Sequence, residues 1–345
     1  MTRTLNVALT SYGMSGRIFH APFIEAHPHL QLALILERSK SESALTYPSA
    51  KIVRTYEEIL EDARIDLVVV NTPNALHHSM ARAALMANKH VVIEKPFTTT
   101  LDEGRELIAL AQEKDLMLSV YHNRRLQSGQ RTTQKLLAER QLGDLKSYEM
   151  TIDRFRPRPG PKKWKEEANP GAGLLFDLGS HLIDEALTLF GLPQSLCADL
   201  RIERPGGQVC DYFDIRLDYE TCKVKLKASM LAREPAPAYV LHGTDGSYVK
   251  YDQDVQEMRL AEGVLPITAH WAEEDQDSWG ILHNHRGRQK YPTVSGSYQD
   301  FYNNIYRHLT EDEPLLVTAD QALVVVGMIA VAERSAREQC TIILK

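Results

Sequence analysis

The stretch Leu5-Asn6-Val7-Ala8-Leu9-Thr10 runs directly into Ser11-Tyr12-Gly13-Met14-Ser15-Gly16, and an amphipathic segment follows. A short apolar run, a glycine-bearing turn and a helical pattern in that order open a βαβ unit. The dinucleotide fingerprint asks for glycine at three places: at the first for a tight turn, at the second for approach of the pyrophosphate, and at the third for packing of helix on strand. Here Ser11 stands first, while Gly13 and Gly16 keep the positions where a side chain would collide with ligand or sheet. The helix N-terminus still offers amide groups to a diphosphate. A turn that needs glycine for geometry alone is the plainer reading, and the strand-turn-helix setting favours dinucleotide binding over it.

Outward from this turn the rhythm continues. LNVALT, LQLALILE, IDLVVVNT, KHVVIEK and LMLSVY alternate with amphipathic stretches such as Ala75 to Ala87 and Leu101 to Lys114. Strands lacking polar alternation are buried on both faces, which predicts a doubly wound parallel sheet, a Rossmann domain, over 1–122. At 345 residues the chain exceeds a single ordinary core. After residue 122 the pattern changes to helical stretches, a Pro/Gly-rich passage from Arg156 to Gly173, and alternating strands including Ser195 to Glu203, Tyr212 to Tyr219, Lys223 to Leu231 and Tyr239 to Leu241. Residues Ala319 to Arg337 read as an apolar helix. The expectation is an α/β Rossmann domain followed by an α+β domain, 123–345, with a mostly antiparallel sheet.

Composition narrows the function. With 40 Lys plus Arg against 46 Asp plus Glu, the net charge is −6, which provides no electrostatic footprint for nucleic acid or an anionic membrane. No apolar run reaches membrane-spanning length, and the N-terminal run breaks at Ser11 to Gly13 before a signal-peptide core is complete. Four cysteines without CxxC pairing suit a reducing cytosol, so a cytoplasmic location is expected, and no metal-ligand set is evident.

Glu37 closes the second strand 21 residues after Gly16, where a carboxylate would accept hydrogen bonds from the adenosine ribose and favour NAD. Arg38 and Lys40 follow at once, and a guanidinium there stacks on adenine or neutralises a 2′-phosphate, the NADP solution. Neither side chain settles the choice. Asn71-Thr72-Pro73-Asn74 with His77, and Glu94-Lys95-Pro96, follow later strands, where ligands of an open α/β sheet bind. Proline after Lys95 favours an extended lysine backbone and stops the strand.

In Gly171-Ala172-Gly173-Leu174-Leu175-Phe176-Asp177-Leu178-Gly179-Ser180-His181-Leu182-Ile183-Asp184, a helix beginning near Asp177 would align Asp177, His181 and Asp184 on one face. The plainer alternative is a helix capped by Asp177 with a satisfied His181. Removing a hydride from a carbinol requires loss of the hydroxyl proton, hence a base near neutral pKa and a cation for developing alkoxide charge. His181 suits the base, Lys95 the cation, and Asp177 the orientation of substrate or imidazole.

Tyr12-Gly13-Met14-Ser15-Gly16, Thr72-Pro73-Asn74 with His77, Glu94-Lys95-Pro96 and Asp177-Leu178-Gly179-Ser180-His181 with Asp184 together resemble the Gfo/Idh/MocA oxidoreductases, in the family's order along essentially the whole chain. The resemblance implies a large open sheet used for oligomer contacts, a homodimer or homotetramer, and sugars, cyclitols or their derivatives as substrates. It also implies that Lys95, Asp177 and His181 are catalytic, with a Lys-Pro peptide that is often cis. Ser11, Tyr12, Gly13, Met14, Gly16, Glu37, Arg38, Thr72, Pro73, Asn74, His77, Glu94 and Lys95 fall to the cofactor, NAD or NADP. Asn123 and Arg124, in a segment that looks like one near cofactor and substrate, and Trp164 join Lys95, Asp177 and His181 as substrate residues. Tyr-Gly-Met-x-Gly followed by Phe19-His20-Ala21-Pro22 looks most like the branch containing NADP-dependent scyllo-inositol dehydrogenases. The expected activity is therefore hydride transfer between a secondary hydroxyl of a cyclitol or sugar and nicotinamide. The alternatives are a glycoside-cleaving enzyme that uses bound NAD transiently, and a dinucleotide-binding regulator, which should lack the catalytic set.

Overall fold

A computed structural model describes residues 3–251, 254–268 and 270–344 and divides into two compact units. The first contains the residues up to Asn123 together with Gln256–Trp271 and Ser297–Val324; the second contains Arg124–Val255, Ala272–Gly296 and the chain from Val325. Two segments read from sequence as part of the domain 123–345 thus join the first unit. Their apolar side chains explain this, because Phe301 and Tyr302 of helix Gln299–Glu311 are buried there against Tyr121.

The first unit is built on a six-stranded parallel sheet of β1 (Leu5–Leu9), β2 (Leu30–Leu36), β3 (Lys51–Val53), β4 (Leu67–Val70), β5 (His90–Ile93) and β6 (Leu118–Val120), in the order β3-β2-β1-β4-β5-β6. All four residues of β4 are buried, as expected of a strand covered on both faces. Between β1 and β4 the strand order reverses direction, and the carboxyl ends of such strands form the ligand crevice of an open sheet. Helix His77–Met86 follows β4, and helix Leu101–Glu113 follows β5. The latter starts with a capping box: the Glu103 amide donates to the Thr100 hydroxyl and the Thr100 amide to the Glu103 carboxylate.

The second unit carries nine strands: β7 (Leu145–Asp153), β8 (Ser195–Arg201), β9 (Tyr212–Asp218), β10 (Lys223–Ser229), β11 (Tyr239–Gly243), β12 (Gly246–Lys250), β13 (Ile281–Asn284), β14 (Gly287–Lys290) and β15 (Ile342–Ile343). They order as β14-β13-β12-β11-β7-β10-β9-β8-β15. Among the described residues only the central β7–β10 pair is parallel. Alternation is clear in β9, where Phe213, Ile215 and Leu217 are buried while Arg216 is exposed. Helix Ser180–Phe190 buries Leu182, Ile183 and Ala186 in the same core as these strand residues, and Gly191 ends it at φ 73°. Full burial of Leu182 and Ile183 contributes about 1.5–3 kcal/mol each, which anchors the helix bearing His181.

Candidate active site

In the first unit, a groove of about 610 Å³ opens where β1, β2 and β4 end. Its walls include Ser11, Tyr12, Gly13 and Met14 from the turn after β1, Glu37, Arg38 and Lys40 after β2, and Thr72 and Pro73 after β4. A Cβ at Gly16 would lie 2.4 Å from the Ser11 carbonyl oxygen and 3.0 Å from Asn71 Nδ2, so close packing requires glycine. Ser11 has no positive φ, which explains why serine is tolerated at the first fingerprint position; its hydroxyl accepts from the Gly13 amide at 3.1 Å. The turn is held from β4: Asn71 Nδ2 donates to the Ser11 carbonyl (2.8 Å), and the Asn71 amide donates to the Thr10 hydroxyl (3.1 Å). The Thr72 hydroxyl is buried beside the groove without a hydrogen-bond partner among the described residues. A lined groove, a glycine turn and an unsatisfied hydroxyl fit a dinucleotide.

Glu37 is buried, and its carboxylate is engaged by the protein itself. One oxygen accepts from the Glu42 amide (2.9 Å); the other accepts from the Ser43 amide (2.9 Å) and the Ser43 hydroxyl (2.5 Å). Burial alone would raise its pKa, but these hydrogen bonds outweigh burial and hold it below the usual value. Glu37 therefore shapes the 38–43 segment, while Arg38 and Lys40 stand exposed on the groove wall.

Lys95 and Pro96 are joined by a cis peptide, and the Lys95 amide donates to Glu94 Oε2 at 3.1 Å. His77, fully buried, places Nδ1 2.8 Å from the Pro96 carbonyl and Nε2 3.0 Å from the Thr72 carbonyl. The ring thereby ties together the loops after β4 and β5. Burial pushes its pKa down, against the pull of the two carbonyls, so a neutral ring that donates to one carbonyl at a time is the favoured form. Asn74 begins a short turn before this helix.

In the second unit, Leu175–Gly179 forms a π-helical turn that runs into helix Ser180–Phe190, so Asp177 lies in the π turn and His181 in the α-helix. Such turns often occur at functional sites. The aligned α-helical stripe expected from spacing is thus interrupted, and Asp177 is not an N-cap. Its carboxylate instead accepts from Lys165 Nζ at 2.8 Å. That ammonium also lies 5.2 Å from the centre of the Trp164 ring. His181 is buried. Asp184 is held by Arg125 through two bonds of 2.8 and 2.6 Å, Nε to Oδ2 and Nη2 to Oδ1, a bidentate pair that positions the helix. Asn123 and Arg124 are buried in the short turn Asn123–Leu126. Asn71 lies in a stretch read from the sequence as facing a ligand, and Arg125 and Lys165 adjoin the candidates Arg124 and Trp164; the partners these three hold are what spacing alone does not reveal.

Beyond these local arrangements, two family models match along the chain. Residues 5–122 match the Gfo/Idh/MocA model described as "Oxidoreductase family, NAD-binding Rossmann fold", and residues 134–344 match "Oxidoreductase family, C-terminal alpha/beta domain". The chain belongs to the Gfo/Idh/MocA oxidoreductase family. It is 37% identical over 346 residues to scyllo-inositol 2-dehydrogenase (NADP(+)) IolW of Bacillus subtilis, spanning 99% of this chain and 96% of that protein. Likewise, it is 40% identical over 348 residues to the oxidoreductase YdgJ of Escherichia coli, spanning 100% of both. Among solved structures, yvaA of Bacillus subtilis superposes with a TM-score of 0.96 at 36% identity, covering 100% of this chain and 99% of that one. An NAD-binding Rossmann domain makes NAD or NADP the cofactor of this Gfo/Idh/MocA member.

Proposed function

We propose that this protein is an NADP-dependent dehydrogenase that interconverts a secondary hydroxyl of a cyclitol or related polyol, such as scyllo-inositol, with the corresponding ketone. The observation that carries this reading is the whole-chain likeness to a scyllo-inositol 2-dehydrogenase. The choice of NADP is supported by Glu37, whose oxygens are engaged by Glu42 and Ser43, while Arg38 presents positive charge along the same groove beside Lys40, itself paired with Glu42 at 2.7 Å. A carboxylate with its acceptor positions free would take the ribose hydroxyls of NAD; with those positions occupied by Glu42 and Ser43, the neighbouring cations are the groups that meet a 2′-phosphate.

When bound, the nicotinamide supplies the hydride acceptor or donor. His181 takes the hydroxyl proton in the oxidation direction and returns it in reduction. The Lys95 ammonium stabilises the negative charge that develops on the reacting oxygen. Asp177, paired with Lys165, orients the polyol through hydrogen bonds, and Asn123, Arg124 and Trp164 complete the substrate set. Assembly as a homo-oligomer in the cytoplasm completes the proposal.

The test is a turnover screen of NADP and NAD against inositol isomers, aldoses and their keto forms, followed by NAD(P)H absorbance. Turnover of a cyclitol with NADP favoured over NAD is expected. Turnover confined to non-polyol substrates, or a preference for NAD, would overturn it.

A further inference from the structure

Behind the Glu94-Lys95 peptide of the first unit lies a buried chain of polar groups that the reaction as described does not use. His20, at the end of the π-helical turn Gly16–His20, has no exposed surface. Its Nε2 lies 3.0 Å from Glu94 Oε1, and its Nδ1 lies 2.6 Å from the Tyr302 hydroxyl. The other Glu94 oxygen accepts from the Lys95 amide. Aromatic rings close around the chain: Tyr121 packs 4.6 Å from the His20 ring, centre to centre, and Phe301 lies edge-on to Tyr121 at 4.8 Å.

A carboxylate is an acceptor only, so Nε2 must carry the proton and donate to Glu94. In the neutral ring Nδ1 is then an acceptor, and the Tyr302 hydroxyl donates to it. All three groups are satisfied in a single tautomer. We propose that His20 is a positioning residue for the reaction, locked by Tyr302 and acting through Glu94 to fix the backbone of Lys95 and keep an anion beside its ammonium. This rests on the reading of Lys95 as the cation of the reaction. The chain has a direction: Tyr302 selects the tautomer, the tautomer orients the carboxylate, and the carboxylate holds the lysine peptide.

The arrangement has a consequence for pH. The titratable groups facing Glu94 are His20, Lys95, His77, Tyr121 and Tyr302. Burial pushes Glu94 up, and His20 leads the groups that bring it below the usual carboxylate value. Without His20 the leading contribution that opposes burial is gone, Glu94 takes up a proton at higher pH, and Lys95 loses its neighbouring anion over that range. The acid limb of kcat then moves upward, whereas a merely structural defect would lower kcat without moving that limb.

The experiment compares the full-length protein with His20→Ala, His20→Gln and Tyr302→Phe, measuring kcat and KM for scyllo-inositol with NADP across pH, and NADPH affinity by fluorescence. Loss of a hydrogen bond to a charged group predicts an acid limb raised by about 1–2 pH units in His20→Ala, with kcat down about 10–100-fold and NADPH affinity within about threefold. His20→Gln, whose amide also donates, restores most of both. Tyr302→Phe, which removes only the hydroxyl, lowers kcat by about threefold to tenfold. An unmoved acid limb in His20→Ala, or a loss explained wholly by weaker NADPH binding, would overturn the proposal. If His20→Ala does not fold, the same comparison is made with His20→Gln and Tyr302→Phe, and wild-type kcat in Tyr302→Phe overturns it. A wild-type protein that turns over no polyol refutes the dehydrogenase reading instead. The tautomer then decides for His20: nitrogen-15 imidazole spectra at pH 8 should show Nε2–H, and a proton on Nδ1 would break the chain.

Discussion

Replacing Arg38 by Ala separates two accounts of how the groove after β2 recognises the adenosine end of its cofactor. In one, Glu37 accepts from the ribose hydroxyls; in the other, Arg38 and Lys40 receive a 2′-phosphate. Both Glu37 oxygens already accept from the Glu42 and Ser43 amides and the Ser43 hydroxyl, and the proposed NADP preference rests on the second account. A charge-assisted bond to phosphate contributes about 1.5–3 kcal/mol, and solvent screening of an exposed guanidinium reduces this to about 1–2 kcal/mol. Arg38→Ala should therefore weaken NADP binding about 5–30-fold and leave NAD within about twofold, a gap that narrows as salt is added. Glu37→Ala should act differently, lowering stability by about 2–4 kcal/mol through loss of its three hydrogen bonds and weakening both cofactors together as the 38–43 segment loosens. Because the Glu37 pKa is lowered in the fold, its stabilisation is present above the unfolded pKa and disappears as pH falls through the folded one. The stability gap between Glu37→Ala and wild type should close on acidification. Calorimetric titration with NAD and NADP, and thermal melts across pH, read these outcomes. A selective loss of NAD affinity in Glu37→Ala would place its carboxylate on the ribose and refute the reasoning.

Lys95→Ala and His181→Ala should each lower kcat by about 10²–10⁴-fold with dinucleotide affinity nearly unchanged, and full turnover in either would remove that residue from the mechanism. Glu185, buried on the helix that carries His181, has its pKa pushed up to about 8, first by burial and then through the opposing influences of Arg124 and Asp184. Its folded pKa is above the unfolded 4.5, so stability is lost as pH rises between the two, on the order of 3 kcal/mol by pH 7. Glu185→Gln should accordingly raise the melting temperature more at pH 8 than at pH 5, and a gain independent of pH would show that Glu185 is not held protonated.

Much of the first unit was legible because its signals are local. The run Leu5 to Thr10, the turn to Gly16 and the buried β4 and β5 follow from apolar runs and glycine placement within a few residues. Six strands, β3, β7 and β12 to β15, were not among those read from the sequence, and the first two show why. β3 spans only Lys51–Val53, with an exposed lysine at its start, and β7, Leu145–Asp153, carries polar residues on one face because it sits in a sheet with one open side. Nor does helical periodicity say which core a helix joins, so the return of Gln299–Glu311 to the first unit was hidden in its own pattern. The candidate residues were found by motif, but their partners were not: His20 meets Tyr302 across 282 positions and Glu94 across 74. Contacts of such separation leave no mark on local spacing.

The structure also changes how the polar residues of these motifs are to be understood. Glu37, Glu94 and Asp184 were candidates by charge and position, yet in each both carboxylate oxygens are held by the protein: by Glu42 and Ser43, by His20 and the Lys95 amide, and by Arg125. An ionised carboxylate inside a protein requires such partners, since leaving even one charge uncompensated costs several kcal/mol. Burial itself therefore directs these acids toward shaping backbone and helix. In the proposed function, recognition falls to groups whose desolvation is small or deferred until ligand arrives, the exposed Arg38 and Lys40 and the unsatisfied Thr72 hydroxyl in the first unit, and the partly exposed Asp177 with Lys165 in the second. In a site of this kind, removing a buried acid should disturb every ligand alike, and removing an exposed cation should disturb only the ligand whose charge it meets.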